Sequence, residues 1–249
     1  MSDPVFDVRN LRVAYGRYEA VKGVSFAVAK GEIFGIVGES GSGKTTIAKT
    51  LIGLEKPSGG EILRAPVTVQ MIFQDAVGSL NPRMTVAQTL REAAKCARDR
   101  TRGAAARRAA DADIPRLLAL VGLSEAVLNQ YPREMSGGQC QRVSIARALV
   151  AGGEVLVADE PVSALDVSVQ ARVLNLLRDL RRELGLTIVL IAHDLAVVKN
   201  VCDRVAVMEK GLFVDCGETE KVFASPSSAY TRRLLAAVPD VRRSLAARA

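Results

Sequence analysis

The sequence predicts an α/β fold: a parallel-type sheet with helices on both faces, an antiparallel edge sheet before it and a block of helices inserted within it. Three observations carry that reading. Short apolar, strand-like runs alternate with amphipathic helical stretches along the 249 residues. One such run, Glu32-Ile33-Phe34-Gly35-Ile36-Val37, leads directly into Gly38-Glu39-Ser40-Gly41-Ser42-Gly43-Lys44-Thr45-Thr46. From Asn81-Pro82 to about Leu128 the strand signals give way to helices rich in Ala, Leu and Arg.

The elements follow in order. Val5 to Val13 and Ser25 to Val28 alternate as strands of the antiparallel edge, with Gly16, Gly23 and Gly31 read as turns. Thr45 to Leu54 reads as the helix behind the glycine segment, stopped before Lys56-Pro57-Ser58-Gly59-Gly60. Glu61 to Leu63 and Val67 to Phe73 are two further strands. After the insertion come a helix over Gln139 to Leu149, a buried strand over Val155 to Ala158 and a long amphipathic helix over Val167 to Leu184. A buried strand over Thr187 to Ile191 and a helix over Asp194 to Val201 follow. Arg204 to Glu209 and Leu212 to Cys216 form a hairpin about Lys210-Gly211, and a short helical tail closes the chain. The expected organisation is one domain over 1–240. It has a core at 1–74 and 155–240, a helical subdomain at 75–154 and a loosely ordered tail at 241–249.

Composition narrows the function. Apolar residues make up 49% of the chain, enough for a substantial core, while 4% aromatics suits Val, Leu, Ile and Ala packing between α/β layers. The formal charge of +7 is scattered over Arg98-Asp99-Arg100-Thr101-Arg102, Arg107-Arg108, Arg232-Arg233 and Arg242-Arg243. Without aromatic platforms beside those charges nucleic acid is not an expected partner; a surface meeting proteins or anionic headgroups suits them better. The opening Met-Ser-Asp-Pro does not read as a basic-then-apolar leader, and no uncharged apolar run reaches the roughly 18–20 residues that span a bilayer. A cytoplasmic protein is expected, touching a membrane only through partners. Cys96, Cys140, Cys202 and Cys216 are too dispersed for a metal cluster and read as free thiols, and a single histidine excludes a histidine-rich metal site.

The glycine segment fills every fixed place of the G-x-x-x-x-G-K-[ST] phosphate loop. Its backbone N–H groups and the following helix N-terminus suit a β-phosphate, and Gly41 and Gly43 keep the approach free of side chains. Lys44 is expected to reach the β and γ phosphates, and the Thr45 hydroxyl to ligate Mg²⁺. The strand Val155-Leu156-Val157-Ala158 ends in Asp159-Glu160 at the same sheet edge. Asp159 is placed to hold Mg²⁺ through water, and Glu160 to orient or deprotonate an attacking water. Gln74 and His193 each follow a predicted strand at that edge. Gln74 is placed to sense Mg²⁺ and its water, and His193 to donate to a γ-phosphate oxygen. Ser136-Gly137-Gly138-Gln139 precedes a helix with Ser136 as N-cap, and a second anion-reading helix end is most simply explained as completing the site of a neighbouring copy. Tyr15 is the candidate for stacking on an adenine ring, with Tyr18 as its competitor.

Together these segments resemble the ATP-binding-cassette (ABC) ATPases across residues 5–240. The phosphate loop matches the family's Walker A motif and Gln74 its Q-loop. Met135-Ser136-Gly137-Gly138-Gln139 matches the signature, Val155 to Glu160 Walker B, Ser163-Ala164-Leu165-Asp166 the D-loop and His193 the switch histidine. The resemblance implies a P-loop NTPase core with an antiparallel β edge subdomain and an inserted helical subdomain. It also implies a head-to-tail dimer that holds ATP and Mg²⁺ between Lys44 and Asp159 of one domain and Ser136 to Gln139 of the other. Asp166 would then couple the two sites. Within the family the chain is most similar to the ATPases of dipeptide, oligopeptide and nickel importers. Gln70 to Asp75, Ser79-Leu80-Asn81-Pro82-Arg83-Met84-Thr85 and Phe223 to Thr231 carry that similarity. The implied partners are a second ATPase domain of the same chain or a sister, two transmembrane permeases and, indirectly, a solute-binding protein, with the ATPase on the inner face of the membrane.

Some positions depart from the pattern. Met135 replaces the usual signature Leu, Cys140 is unusual after the signature glutamine, and the hairpin expected between Ile62 and Val67 is short. The alternatives to an importer subunit are an ATPase serving a soluble assembly, such as phosphonate breakdown machinery, and a nucleotide-gated regulatory module with little turnover.

Overall fold

The structure is a computed structural model that describes residues 4–101 and 113–237, the side chains of 97–101 excepted. Arg107-Arg108, Arg242-Arg243, the side chains of the Arg98–Arg102 cluster and the 241–249 tail lie outside the described residues.

Two sheets form the frame. Strands β1 (Pro4–Tyr15), β2 (Tyr18–Ala29) and β4 (Gly59–Arg64) make an antiparallel sheet in the order β2-β1-β4. The second sheet has the order β5-β6-β7-β3-β8-β9, built from β3 (Ile33–Val37), β5 (Val69–Ile72), β6 (Val155–Asp159), β7 (Thr187–Ala192), β8 (Arg204–Glu209) and β9 (Leu212–Glu218). Only β9 runs antiparallel, turning back from β8 through Lys210 and Gly211 at positive φ. The helices are α1 (Lys44–Leu51), α2 (Val86–Thr101), α3 (described over 113–120), α4 (Gly137–Val150), α5 (Val167–Leu184), α6 (Leu195–Val201), α7 (Thr219–Ala224) and α8 (Ala229–Ala237).

The central strands are apolar throughout because both faces are covered. Ile33, Val37, Leu156, Ala158, Ile188 and Leu190 face a core shared with α2, α4, α5 and α6. Phe34, Ile36, Val155, Val157, Val189 and Ile191 face a second core with α1 and the inner face of the antiparallel sheet. Helices therefore lie on both faces, as expected, and on one of them α1 is joined by the three strands of the antiparallel sheet. Phe26 from β2 stacks on Phe34 from β3 at 5.3 Å between centroids, tying the two sheets. On the other face α6 lies against Gly35, where a Cβ would come within 2.9 Å of both Cys202 and Val198.

Three expectations change. Gly23 is no turn; it sits inside β2 at φ +93°, where the register jumps between Leu11↔Val24 and Arg12↔Lys22. It is the extra residue of a bulge, a place a strand gives to glycine. The short segment after Ile62 is no hairpin either. Strand β4 pairs with β1 and β5 with β6, so residues 65–68 cross between sheets. Strand β5 stops at Ile72, which leaves Gln74 two residues beyond the strand.

The C-terminal helix is docked by one carboxylate. Asp215 on β9 accepts from Ser227 N and Ser228 N at 3.0 and 3.1 Å, from the Ser227 hydroxyl, and from Thr231 Oγ1 at 2.5 Å. Burial pushes Asp215 up, but these donors outweigh it and hold the carboxyl below its ordinary range. A carboxyl lowered in the folded state stabilises above its unfolded pKa and loses that contribution as pH falls through the folded value. Asp215→Ala is therefore expected to lower Tm at pH 7, with the gap to wild type closing in acid. A gap constant down to pH 3 would contradict the assignment.

Candidate nucleotide site

Strand β3 ends at Val37 and the chain turns through Gly38–Gly43 into α1. Two contacts require glycine. A Cβ on Gly38 would lie 2.2 Å from Met208 O, and one on Gly43, at φ +109°, 2.4 Å from Ala20 O. The loop is thus clamped between β2 and β8, and the start of α1 opens towards the cleft with its backbone donors unpaired by any side-chain cap. Ser42 is 5% exposed, and its Oγ has no partner within the protein. A buried hydroxyl without an acceptor fits a loop shaped around a phosphate. Lys44 is slightly more buried still, and its Nζ donates to Gly38 O and Glu39 O at 2.8 Å each. Burial pushes the Lys44 ammonium pKa down, against the opposing pull of Glu160, Asp159 and Glu39.

The acidic side comes from the end of β6. Asp159 Oδ1 accepts from Thr45 Oγ1 at 3.1 Å, joining the two segments proposed to share a cation. Burial pushes the Asp159 carboxyl up, partly countered by the Thr45 bond. Glu160 adopts φ +44°, a left-handed conformation that costs a residue with a Cβ about 1–2 kcal/mol. Its N–H donates to Ile191 O at 3.0 Å, so the turn is held by β7. The twist takes the Glu160 side chain out of the strand's alternation. Its Oε2 accepts from Gln74 Nε2 at 3.3 Å and lies 3.1 Å from His193 Nδ1.

The cleft beside the loop is lined by Tyr15, Tyr18, Ser40, Gly41, Lys44, Thr45, Thr46, Gln74 and Glu160, among others. Tyr15 and Tyr18 pair across the β1–β2 turn and both border it, so the competition between them stands. His193 lines an adjoining cavity that shares Glu160 with this cleft. Ser163, in the segment matching the D-loop, has a role that the match does not give. Its Oγ donates to Glu160 O at 3.1 Å and accepts from Gln74 Nε2 at 3.3 Å, bracing both. A hydroxyl three residues after a strand-end acid was the available signal.

Ser136–Gln139 and Asp166 do not line the cleft of their own chain. Ser136 caps α4, accepting from Gln139 N at 3.2 Å while Gln139 Oε1 accepts from Ser136 N at 2.9 Å. Asp166 caps α5 by accepting from Val169 N at 3.0 Å, and it also accepts from Ser168 Oγ at 2.8 Å. These bonds, that from Ser168 foremost, lower its pKa. The two helix starts abut: a Cβ on Gly138 would lie 2.7 Å from Val169. One chain therefore joins the phosphate loop, Gln74, Asp159, Glu160 and His193, and turns its second helix end elsewhere.

Charges are buried here at a cost to the empty protein. A carboxyl raised by burial opposes folding when ionised, a penalty fully present at neutral pH and relieved as pH falls through the folded pKa. Asp159→Asn keeps an acceptor for Thr45, so its nucleotide-free Tm at pH 7 is expected to equal or exceed that of the wild type. A clear fall in a thermal melt would contradict that.

Residues 21–163 match the ABC transporter family. The chain is 43% identical over 265 aligned positions to the oligopeptide transport ATP-binding protein OppF of Streptococcus pyogenes serotype M1, across 96% of this chain and 83% of that protein. Its fold is similar to that of cbiO1 from Clostridium perfringens, part of the ABC transporter complex cbiONQ, with TM-score 0.79 and 28% identity over 98% of this chain and 100% of that one. It is also similar to the ATP-binding cassette MJ0796, solved as a post-hydrolysis dimer bound to ADP and Pi, with TM-score 0.72 and 27% identity over 86% and 98% of the two chains. With its phosphate loop, strand-end carboxylates and capped second helix in this arrangement, the chain belongs to the ABC transporter family as one of its ATP-binding-cassette ATPases.

Proposed function

We propose that this chain is the ATP-hydrolysing subunit of an importer, driving uptake of a peptide-like or nickel/metal-chelate solute through partner permeases. The observation that carries the catalytic part is the meeting of Gln74 Nε2 and His193 Nδ1 on one oxygen of Glu160, 3.3 and 3.1 Å away. When bound, ATP with Mg²⁺ supplies a transferable phosphoryl group and the cation that offsets its charge.

The chain's own residues divide the remaining work. Lys44 keeps the two backbone carbonyls that hold it and turns its third N–H to a phosphate oxygen, a stronger partner for a buried ammonium. Backbone donors from Gly38 to Thr46, with the Ser42 hydroxyl, cradle phosphate, and Tyr15, with Tyr18 as its competitor, stacks on the base. Thr45, Asp159 and Gln74 hold the cation side. Glu160 Oε2 orients water and takes its proton, while Gln74 and His193 fix the direction of that oxygen. The open side of the cleft calls for a second ATPase domain, whose Ser136–Gln139 helix end adds donors and excludes water. Asp166 then lies where two such domains meet.

The name of the Streptococcus relative supports a peptide cargo. No helix among the described residues is long and apolar enough to cross a membrane. The partners in this reading are two permeases, with a solute-binding protein acting through them. The subunit would sit on the inner face, paired with itself or with a sister ATPase.

Glu160→Gln is expected to retain ATP binding, lower hydrolysis by about 10²- to 10⁴-fold and accumulate a nucleotide-bound dimer. Wild-type turnover in that variant would remove Glu160 from the role given to it. Lys44→Ala should instead weaken ATP binding itself, read by titration. Tagged protein drawn from solubilised membranes should bring two permeases with it; recovery only within a soluble complex would favour the soluble-assembly alternative and end the importer reading.

A further inference from the structure

The phosphate loop is gripped from outside by the last described helix. Tyr230 on α8 is 5% exposed, and its hydroxyl accepts a hydrogen bond from Glu39 N–H at 3.1 Å. That N–H belongs to the Gly38–Glu39 peptide. The carbonyl of the same peptide, Gly38 O, accepts from Lys44 Nζ at 2.8 Å. Because a peptide group is planar, fixing the direction of its N–H fixes that of its C=O. Phenol, peptide and ammonium thus form one hydrogen-bonded series in which each member polarises the next.

We propose that Tyr230 is a positioning residue for the nucleotide site, orienting the Gly38–Glu39 peptide and through it Lys44. The inference rests on the ATPase reading above and adds to it a component from the far end of the chain. The ring alone does not explain a tyrosine here. It packs in the large apolar core, which phenylalanine would fill as well. The buried hydroxyl needs a partner, and the partner it has is the loop.

The helix that carries it is held on independent supports. Asp215 collects donors from Ser227, Ser228 and Thr231, and Thr231 is fully buried. Arg233 lies 5.9 Å from the Tyr230 ring and 3.9 Å from Glu209 at the end of β8. Gly38, Gly41 and Gly43 offer no side chains, so the loop is held by backbone contacts such as Gly211 N–H to Ser42 O at 2.9 Å, to which Tyr230 adds a side-chain support. An external support that sets its geometry before nucleotide arrives lowers the ordering cost of binding.

The test is Tyr230→Phe in the full-length protein, with Arg233→Ala as a control that disturbs the same helix without touching the hydroxyl. Dissociation constants for Mg-ATP come from titration of a fluorescent ATP analogue, and kcat and KM from phosphate release. For Tyr230→Phe, Kd and KM are expected to rise about 3- to 10-fold, the size of one lost hydrogen bond. Its kcat should stay within about twofold of wild type, the signature of lost binding rather than lost transition-state contacts. Arg233→Ala should bind ATP as the wild type does. An unchanged Kd and KM in Tyr230→Phe, a KM rise matched by an equal loss of kcat, or the same defect in Arg233→Ala would each overturn the assignment. A wild-type chain that binds no ATP would instead overturn the ATPase reading beneath it.

Discussion

Parallel strands ending at one level decide where this protein can do chemistry. Val37 pairs with Ala192 and with Val207, and Asp159 with Ile191, so the chain leaves β3, β6 and β7 along a single edge. Neighbouring strands lie about 4.8 Å apart, which is close enough for the groups that follow them to touch. Lys44, Glu160 and His193 come from remote parts of the sequence and meet only because of that register. The register is in turn fixed by burial on both faces, since a slip of one residue would exchange the side chains facing the two cores.

The same edge carries the molecule's main local costs. Lys44 and Asp159 are both desolvated, one shifted down and the other up. Glu160 sits in a backbone conformation unfavourable to a residue with a Cβ. Ser42 keeps a buried hydroxyl without a partner. Each is a poor arrangement for an empty protein and a good one for a protein holding a charged ligand. The surrounding supports offset them: Ile191 holds the Glu160 turn, Ser163 braces its carbonyl, and Tyr230 holds the loop peptide.

What the sequence revealed was whatever is written locally. The long helix α5 was legible to its last residue because Asp166 caps it, Gly185 ends it in a left-handed conformation, and Val173, Leu177 and Leu180 repeat on one face. The phosphate loop and the Asp159–Glu160 pair were legible because strand, glycines and carboxylates are contiguous. Pairings between distant segments were not. That β4 joins β1 while β5 joins β6 depends on which sheet each strand can complete, and a pattern of alternating residues is silent on that. Gly23 was misread because a glycine within a strand looks like a turn until the register is known. Ser163 and Tyr230 lie in segments that the sequence matched, but nothing in those matches gives them a role; their roles exist only as contacts, in Tyr230's case across 191 positions.

The proposed mechanism requires half of a nucleotide site in each chain and the other half from a facing one. Cysteines placed at Ser136 and Ser40 in the Glu160→Gln background, with the protein in its working pair, measure this directly. Disulfide formation between two polypeptides that requires Mg-ATP is the predicted result. A bond within one chain, or a yield indifferent to nucleotide, would contradict it.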